Sequence, residues 1–135
     1  MIRVLMVDDE PRLLQAWTQL LAGESEVKLV GTRSLADGLA AVVDELSPQV
    51  VVIDLTMPGS DPLDVVRQLS SSHPDVRAVA HSANNDPLLV QEAFDAGAWA
   101  FVDKVAAGTD LVDVIRRVAR GEVVFPSGVD VQTGQ

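Results

Sequence analysis

The chain has 135 residues, the size of a single domain with one hydrophobic core. Hydrophobic residues make up 47% and charged residues 22%, which excludes disorder over most of the length, and the absence of cysteine excludes disulfides, thiol catalysis and cysteine-based zinc sites. The net charge of −10 repels polyanions, so we expect no nucleic-acid binding by this chain alone.

From the sequence we expect neither a membrane-spanning segment nor a signal peptide. The longest stretch without a charged residue, residues 13–23, is shorter than the roughly 20 apolar residues that a membrane-spanning helix needs. The N-terminus becomes acidic at Asp8 and Asp9, where a signal peptide would still be apolar. We therefore expect a cytoplasmic protein without membrane partners.

Short β-branched runs alternate with longer amphipathic stretches, an order typical of βαβ units on a parallel sheet. Strands are predicted at residues 2–7, 27–31, 50–53, 76–80 and 98–102. The third of these runs is apolar at every position, as expected of a central strand that helices cover on both faces.

Helices are predicted around residues 13–21, 35–46, 63–69, 89–94 and 111–118, where apolar residues recur at spacings of three and four. Asp61 and Asp86 are each followed by proline, which predicts two helix starts, and Ser34 with Asp37 resembles a capping box. From residue 121 the periodicity stops. We expect one domain over residues 1–120 and a linker or flexible tail over residues 121–135.

Polar side chains stand where four of the predicted strands end. Asp8 and Asp9 follow the first strand, Asp54 the third, Ser82 the fourth and Lys104 the fifth. Ligands of open parallel sheets bind beyond the carboxyl ends of the strands, so we expect these groups to meet there. Three carboxylates do not stay ionised together without cations, which points to a hard divalent cation such as Mg²⁺, and a lysine ammonium suits a phosphoryl oxygen.

Each of these residues also has an ordinary structural explanation. Asp8 or Asp9 can cap the helix that begins near Pro11, although a cap needs one aspartate and not two. Asp54 can belong to a turn. Ser82 and Lys104, taken singly, are a loop hydroxyl and a surface lysine. The joint placement of these residues at successive strand ends favours the functional interpretation.

Four motifs resemble those of the receiver domain of bacterial two-component response regulators. They are Val-Asp-Asp-Glu at residues 7–10, Asp-Leu-Thr-Met-Pro-Gly at 54–59, Ser-Ala at 82–83 and Gly-Ala-Trp-Ala-Phe-Val-Asp-Lys at 97–104. The resemblance covers about residues 2–120. It implies a doubly wound, flavodoxin-like α/β fold whose five-stranded parallel sheet has the strand order 2-1-3-4-5.

The resemblance also implies the chemistry of the site. Asp54 would be the nucleophile that accepts a phosphoryl group from a phosphohistidine on a sensor histidine kinase. Asp9 would bind Mg²⁺ directly and Asp8 through water, and Asp54 and the backbone carbonyl of Thr56 would supply further oxygens. Ser82 and Lys104 would contact the phosphoryl oxygens.

Phe101 matches the aromatic residue that turns inward in this family when Ser82 moves toward the phosphorylated aspartate. The resemblance thus implies a switch in the face made by the fourth helix, fifth strand and fifth helix, through which a homodimer is possible. Phe101 as an ordinary core residue is the alternative. By strand alternation Trp99 is expected to share the face of Phe101, and to be exposed on that surface.

The sequence departs from the family at three positions. Pro62 replaces glycine, Ser82 replaces the commoner threonine, and Val105 stands where many receivers have a cis proline, so we expect a trans bond there. His81 is expected to point away from Ser82. Neither His81 nor His73 has the spacing of a metal ligand.

Residues 110–126 are similar to the end of receivers that precede a helix-turn-helix domain. We therefore expect DNA to be bound through a C-terminal domain absent from this chain, whether the chain is an excised receiver or a stand-alone one. We expect no enzymatic activity beyond self-catalysed phosphorylation and dephosphorylation. Two alternatives stay open: a pseudo-receiver that works without phosphorylation, and an aspartyl phosphatase. The haloacid-dehalogenase type of phosphatase needs a second aspartate where this chain has Thr56.

Overall fold

The computed structural model describes residues 1–104 and 111–129. Within these ranges strands and helices alternate in the order β1 (Ile2–Val7), α1 (Pro11–Ala22), β2 (Val27–Arg33), α2 (Leu39–Leu46), β3 (Val50–Asp54), α3 (Pro62–Ser72), β4 (Arg77–Ser82), α4 (Pro87–Asp95), β5 (Ala100–Asp103) and α5 (Leu111–Ala119). No helix in the described ranges is long and apolar enough to cross a membrane.

The five strands form one parallel sheet in the order β2-β1-β3-β4-β5, which confirms the predicted fold. Alternate residues of β1, β3, β4 and β5 enter different cores. Leu5 of β1 belongs to a core with α2, α3 and α4, and Val4 belongs to a second core with α1 and α5. The central strand β3 is buried along its whole length, because helices cover both of its faces.

The fifth strand begins two residues later than predicted. Gly97 has a φ of 104°, which ends α4, and the N–H of Ala98 still donates to Ala93 of that helix. Ala98 therefore lies in the turn that closes α4, and β5 extends over only four residues. In contrast, β2 continues two residues beyond its predicted end, to Arg33.

The helix starts were predicted with mixed success. The carboxylates of Asp61 and Asp86 accept the N–H groups of Leu63 and Leu88 at 3.0 and 2.9 Å, which confirms both caps. The capping pair of Ser34 and Asp37 is wrong, since α2 begins at Leu39 after a left-handed glycine at position 38. The Asp37 carboxylate instead accepts the N–H of Ser60 at 3.1 Å.

Residues 122–129, called the strap below, lie beside β5. Gly121 has a φ of 94° and turns the chain back after α5. Val124 then forms a parallel bridge with Ala100. Residues 130–135 and the bond preceding Val105 lie outside the described residues, and the division at residue 120 stays a prediction.

Candidate functional site

Four neighbouring strands bring their polar residues to one edge of the sheet. Asp8 follows β1, Asp54 ends β3, Ser82 ends β4 and Lys104 follows β5. Because all four strands are parallel, these carboxyl ends lie side by side in the order β1-β3-β4-β5. Asp8, Asp54 and Ser82 are buried, and Asp9 is exposed.

The Lys104 ammonium joins the two buried carboxylates. Its Nζ lies 2.6 Å from Oδ2 of Asp8 and 3.2 Å from Oδ2 of Asp54. The Asp8 and Asp54 side chains are each 3% exposed and that of Lys104 is 15% exposed, so solvent screens these pairs weakly. The backbone N–H of Lys104 donates to the backbone carbonyl of Ser82 at 2.9 Å. This bond fixes the position of the Lys104 backbone at the end of β5.

The other oxygen of Asp54 is held by Thr56. Oδ1 accepts the Thr56 N–H at 2.9 Å and the Thr56 hydroxyl at 2.8 Å. The resemblance implies a role for the backbone carbonyl of Thr56, and the structure adds the bond from its hydroxyl. A hydroxyl residue two positions after an aspartate was the signal for this bond, because such side chains reach back to the preceding carboxylate in tight turns.

Burial acts on both carboxylates, with different outcomes. Burial raises the pKa of Asp8 above its ordinary value, and the bonds from Lys104 and from the Glu10 N–H only partly offset it. Burial also raises the pKa of Asp54, but the two Thr56 bonds and the Lys104 charge outweigh it, so this pKa lies below its ordinary value. Asp54 is therefore an ionised carboxylate at neutral pH.

Asp8, Asp9 and Asp54 form an acidic cluster in which one carboxylate oxygen from each lies within 4.8 Å of the others. An all-oxygen donor set of this charge suits a hard divalent cation, which keeps several waters when it has few protein ligands. The residues present therefore fit the expected ion. His73 does not belong to this cluster, and its Nε2 lies 2.7 Å from the Asp44 carboxylate.

The family model described as "Response regulator receiver domain" matches residues 4–116. The chain belongs to this receiver family. The resemblance drawn from the four motifs is confirmed.

Known relatives and structures agree with this assignment. Response regulator GacA of Pseudomonas viridiflava is 34% identical over 122 residues, which are 90% of this chain and 57% of that protein. The receiver thus spans little more than half the length of this curated relative. A LuxR-family two-component response regulator from Aurantimonas sp. shares the fold, with a TM-score of 0.85 at 24% identity over 98% of this chain and 93% of that one.

A third match is RcsB of Salmonella enterica serovar Typhimurium, bound to a promoter in the presence of the phosphomimetic BeF3⁻. Its TM-score is 0.80 at 25% identity, over 90% of this chain and 61% of that chain. GacA and RcsB are both longer than this chain, which covers 57% and 61% of them.

The β4–α4 loop of the receiver is tied down beside the acidic cluster. The Ser82 hydroxyl oxygen accepts the Asn84 N–H at 3.0 Å, which leaves its hydrogen for another acceptor. The Asn85 amide donates to the Asp103 carboxylate at 2.9 Å and so connects the loop to the end of β5. The sequence does not predict this link, because Asn85 lies outside the four motifs.

Phe101 and Trp99 lie on different sides of the receiver sheet. Phe101 is 5% exposed and belongs to the core with α2, α3 and α4. Trp99 is half-buried against the core with α1 and α5, with the Arg77 guanidinium 4.5 Å from its ring centroid. The prediction of a shared, exposed face is wrong, because β5 begins at Ala100 and strand alternation does not extend back to Trp99.

His81 lies behind the site. Its ring packs edge-on against Trp17 of α1, with centroids 5.9 Å apart. Burial lowers the pKa of His81 to about 4, and the Lys104 charge adds to this effect against the opposing charges of Asp54 and Asp103. His81 is therefore a neutral core residue on the α1 side of β4.

Proposed function

We propose that Asp54 accepts a phosphoryl group from a phosphohistidine on a sensor histidine kinase. The observation that carries this proposal is the state of the Asp54 carboxylate. It is buried at the end of the central strand, its pKa lies below the ordinary value, and it is 3.2 Å from the Lys104 ammonium. An ionised, oriented carboxylate beside a fixed cation is suited to nucleophilic attack on phosphorus.

The transfer requires one bond to form and one to break. A carboxylate oxygen of Asp54 bonds to phosphorus, and the bond between phosphorus and the histidine nitrogen breaks. Its electron pair stays on the imidazole, which takes up a proton. The product at Asp54 is an acyl phosphate, and water that attacks its phosphorus releases inorganic phosphate and restores the carboxylate.

Mg²⁺ is the proposed cofactor, held by Asp8, Asp9, Asp54 and the backbone carbonyl of Thr56. When bound, it neutralises charge on the transferred phosphoryl oxygens. The chain's own contribution is the cluster geometry, in which three carboxylates converge within 4.8 Å. Lys104 neutralises part of the charge on Asp8 and Asp54. The two carboxylates can therefore stay close together before the phosphodonor binds.

Ser82 and Lys104 are proposed to hold the phosphoryl group. Lys104 lies close enough to Asp54 to contact an oxygen of a group attached there, and the Ser82 hydroxyl has a hydrogen to donate. Movement of Ser82 toward the phosphoryl group, with Phe101 turned inward, would switch the face made by α4, β5 and α5. That face is the proposed homodimer contact.

The chain is proposed to work as a signalling switch in the cytoplasm, and not as an enzyme that turns over a separate substrate. Its DNA output would come from a C-terminal domain absent from this chain. The promoter-bound RcsB structure, obtained with a phosphomimetic, supports this arrangement, and the charge of −10 opposes direct DNA binding by the receiver itself.

The test is the intact mass of the full chain after incubation with a small phosphodonor and Mg²⁺. We expect one added phosphoryl group, which disappears with EDTA and in both Asp54→Ala and the nearly isosteric Asp54→Asn. The matched control is Asp64→Asn, because Asp64 is an exposed carboxylate of α3 and its loss should leave the adduct intact.

Two results would overturn the proposal. One is an adduct that persists in both Asp54 variants, which would place the acceptor elsewhere. The other is the absence of any adduct while the donor is not consumed, which would favour a pseudo-receiver. Turnover of a phosphomonoester by the wild type would instead indicate the phosphatase.

A further inference from the structure

The strap occupies the outer edge of the sheet. β5 is the last strand in the order, so one side of its backbone has no strand partner within the sheet. The Val124 N–H donates to the Trp99 carbonyl at 2.9 Å, and the Phe101 N–H donates to the Val124 carbonyl at 3.1 Å. The strap thus satisfies backbone groups that an open edge strand would expose.

Side chains of the strap continue this contact over α4. The Phe125 ring meets the Phe94 ring edge-on, with centroids 5.3 Å apart and an interplanar angle of 84°. Phe125 and Val129 also pack against the core that contains Phe101. A cavity of about 550 Å³ lies among the strap, α4, β5 and α5, and its lining includes Val90, Phe101, Val114 and residues 126–129.

The strap bonds to the backbone of Phe101 and lines one cavity together with its side chain. With the strap in place Phe101 is only 5% exposed, and its N–H is bonded to Val124. An outward rotation would direct the ring from the core toward the side that the strap covers. Release of the strap would expose Phe101 and free its N–H, so each state of the ring favours one state of the strap.

The same short strand carries a site residue. β5 has four residues, with the strap bonded at Phe101 and Lys104 following three positions later. Lys104 also donates its N–H to Ser82, and β4 pairs with β5 from Val79 to Ser82. A shift of Ser82 or Lys104 toward a group on Asp54 therefore acts on the strand that holds the strap.

We propose that the strap is coupled to Asp54 through β5 and Phe101, so that a phosphoryl group on Asp54 and a docked strap favour each other. This inference rests on the proposed function. It adds that phosphorylation fixes the path by which the chain leaves the domain after α5. Thermodynamic linkage makes this coupling reciprocal. If ligand binding at Asp54 favours the docked strap by a given factor, release of the strap lowers the affinity at Asp54 by the same factor.

The test uses the full chain, with beryllofluoride and Mg²⁺ in place of the phosphoryl group. Val124→Pro removes the N–H bonded to Trp99, and Val123→Pro is the matched control, because Val123 is 54% exposed. Affinity is measured by ¹⁹F NMR of bound beryllofluoride, and strap docking by hydrogen exchange of the Phe101 and Val124 amides. Phe125→Ala is the second variant, which keeps the whole backbone.

We expect Val124→Pro to bind beryllofluoride about tenfold more weakly than the wild type and the Val123→Pro control. Phe125→Ala should change affinity in the same direction by a smaller factor. Beryllofluoride should slow exchange of the Val124 amide in the wild type by about the same tenfold. Without beryllofluoride, the Phe101 amide should lose protection in Val124→Pro and keep it in the control.

Equal affinities in Val124→Pro and in the control, with unchanged exchange at Val124, would overturn the coupling and leave Asp54 as the acceptor. Tighter binding in Val124→Pro would also overturn it, because the strap would then oppose the site. If no variant binds beryllofluoride and no phosphodonor gives an adduct, both the coupling and the proposed function are wrong.

Discussion

The carboxyl-end site and the strap are held in place by different forces. At the site, Asp8, Asp54 and Lys104 bring three charges out of water and depend on side-chain identity. At the strap, two backbone hydrogen bonds and one ring pair join Val124 and Phe125 to the rest of the domain. Any residue except proline can supply the backbone bonds, whereas the site needs these particular side chains.

The difference shows which region stores free energy for switching. The site keeps two carboxylates beside one ammonium, and the raised pKa of Asp8 reflects charge that burial leaves poorly compensated. A cation or a phosphoryl group bound there therefore strongly changes the electrostatic energy of these buried charges. The backbone groups of Val124 in the strap are already hydrogen-bonded in the free protein. A change at the site can therefore shift the strap between a docked and a released state.

Lys104→Met gives the largest expected change in stability, because it leaves two buried carboxylates without their cation. We expect the free energy of unfolding at neutral pH to fall by about 3 kcal/mol, measured by urea titration. Mg²⁺ should restore part of this loss and stabilise the variant more than the wild type. Lys28→Met, which removes the other lysine from an exposed position, is the control. A loss no larger than that of the control would contradict the ion-pair account.

His81→Asn tests whether acid sensitivity arises beside the site. In the unfolded chain His81 takes up a proton below pH 6.5, while in the fold it stays neutral until about pH 4. The unfolded state binds more protons in this window, so stability falls as pH falls. The wild type should lose about 2 kcal/mol from His81 between roughly pH 7.5 and pH 5.

The His81→Asn variant should lack this loss in urea titrations at the two pH values. His73→Asn, which changes the other histidine, should retain it. An equal acid-dependent loss in wild type and His81→Asn would show that the group responsible lies elsewhere.

Phe125→Ala breaks the apolar side of the strap without touching its backbone. Loss of the ring pair with Phe94 and of the contact with the core should lower the free energy of unfolding by about 1.5 kcal/mol. Val123→Ala at the neighbouring exposed position should change it by less than about 0.5 kcal/mol. Similar values for the two variants would mean that the strap contributes no packing.

Thr56→Val makes the smallest change and sharpens the account of Asp54. It removes the hydroxyl bond to Oδ1 and keeps the backbone N–H bond. Because the hydroxyl stabilises the ionised form, the pKa of Asp54 should rise in the variant, as followed by ¹³C NMR of the carboxyl carbon. Thr18→Val, whose hydroxyl donates to a helix carbonyl in α1, is the control. An unchanged pKa of Asp54 would mean that the Thr56 N–H and Lys104 alone lower it.

Much of the fold was predictable because hydrophobic spacing reports which residues are buried. The uninterrupted apolar run of β3 correctly predicted a central strand of a parallel sheet. The two Asp-Pro pairs correctly predicted two helix N-caps. The start of α2 was not predictable, since apolar spacing continues through residues 35–38 while Gly38 adopts a left-handed conformation. The start of β5 failed for a similar reason, because the turn at Gly97 interrupts an apolar run.

The meeting of these strand-end residues was predictable, because a parallel sheet brings the carboxyl ends of its strands together. Their pairing was not. That Lys104 contacts both Asp8 and Asp54, and that the Thr56 hydroxyl bonds to Asp54, follows from side-chain rotamers and packing that no spacing rule encodes. The strap was missed because backbone hydrogen bonds leave little trace in sequence.

The central claim is that Asp54 carries the phosphoryl group, and borohydride trapping followed by peptide mapping tests it most directly. Borohydride reduces an acyl phosphate to an alcohol, so the account predicts a homoserine residue in place of Asp54 after treatment with phosphodonor and Mg²⁺, and none with EDTA. Reduction at Asp8 or Asp9, or no reduced residue in a sample whose mass shows the adduct, would contradict it.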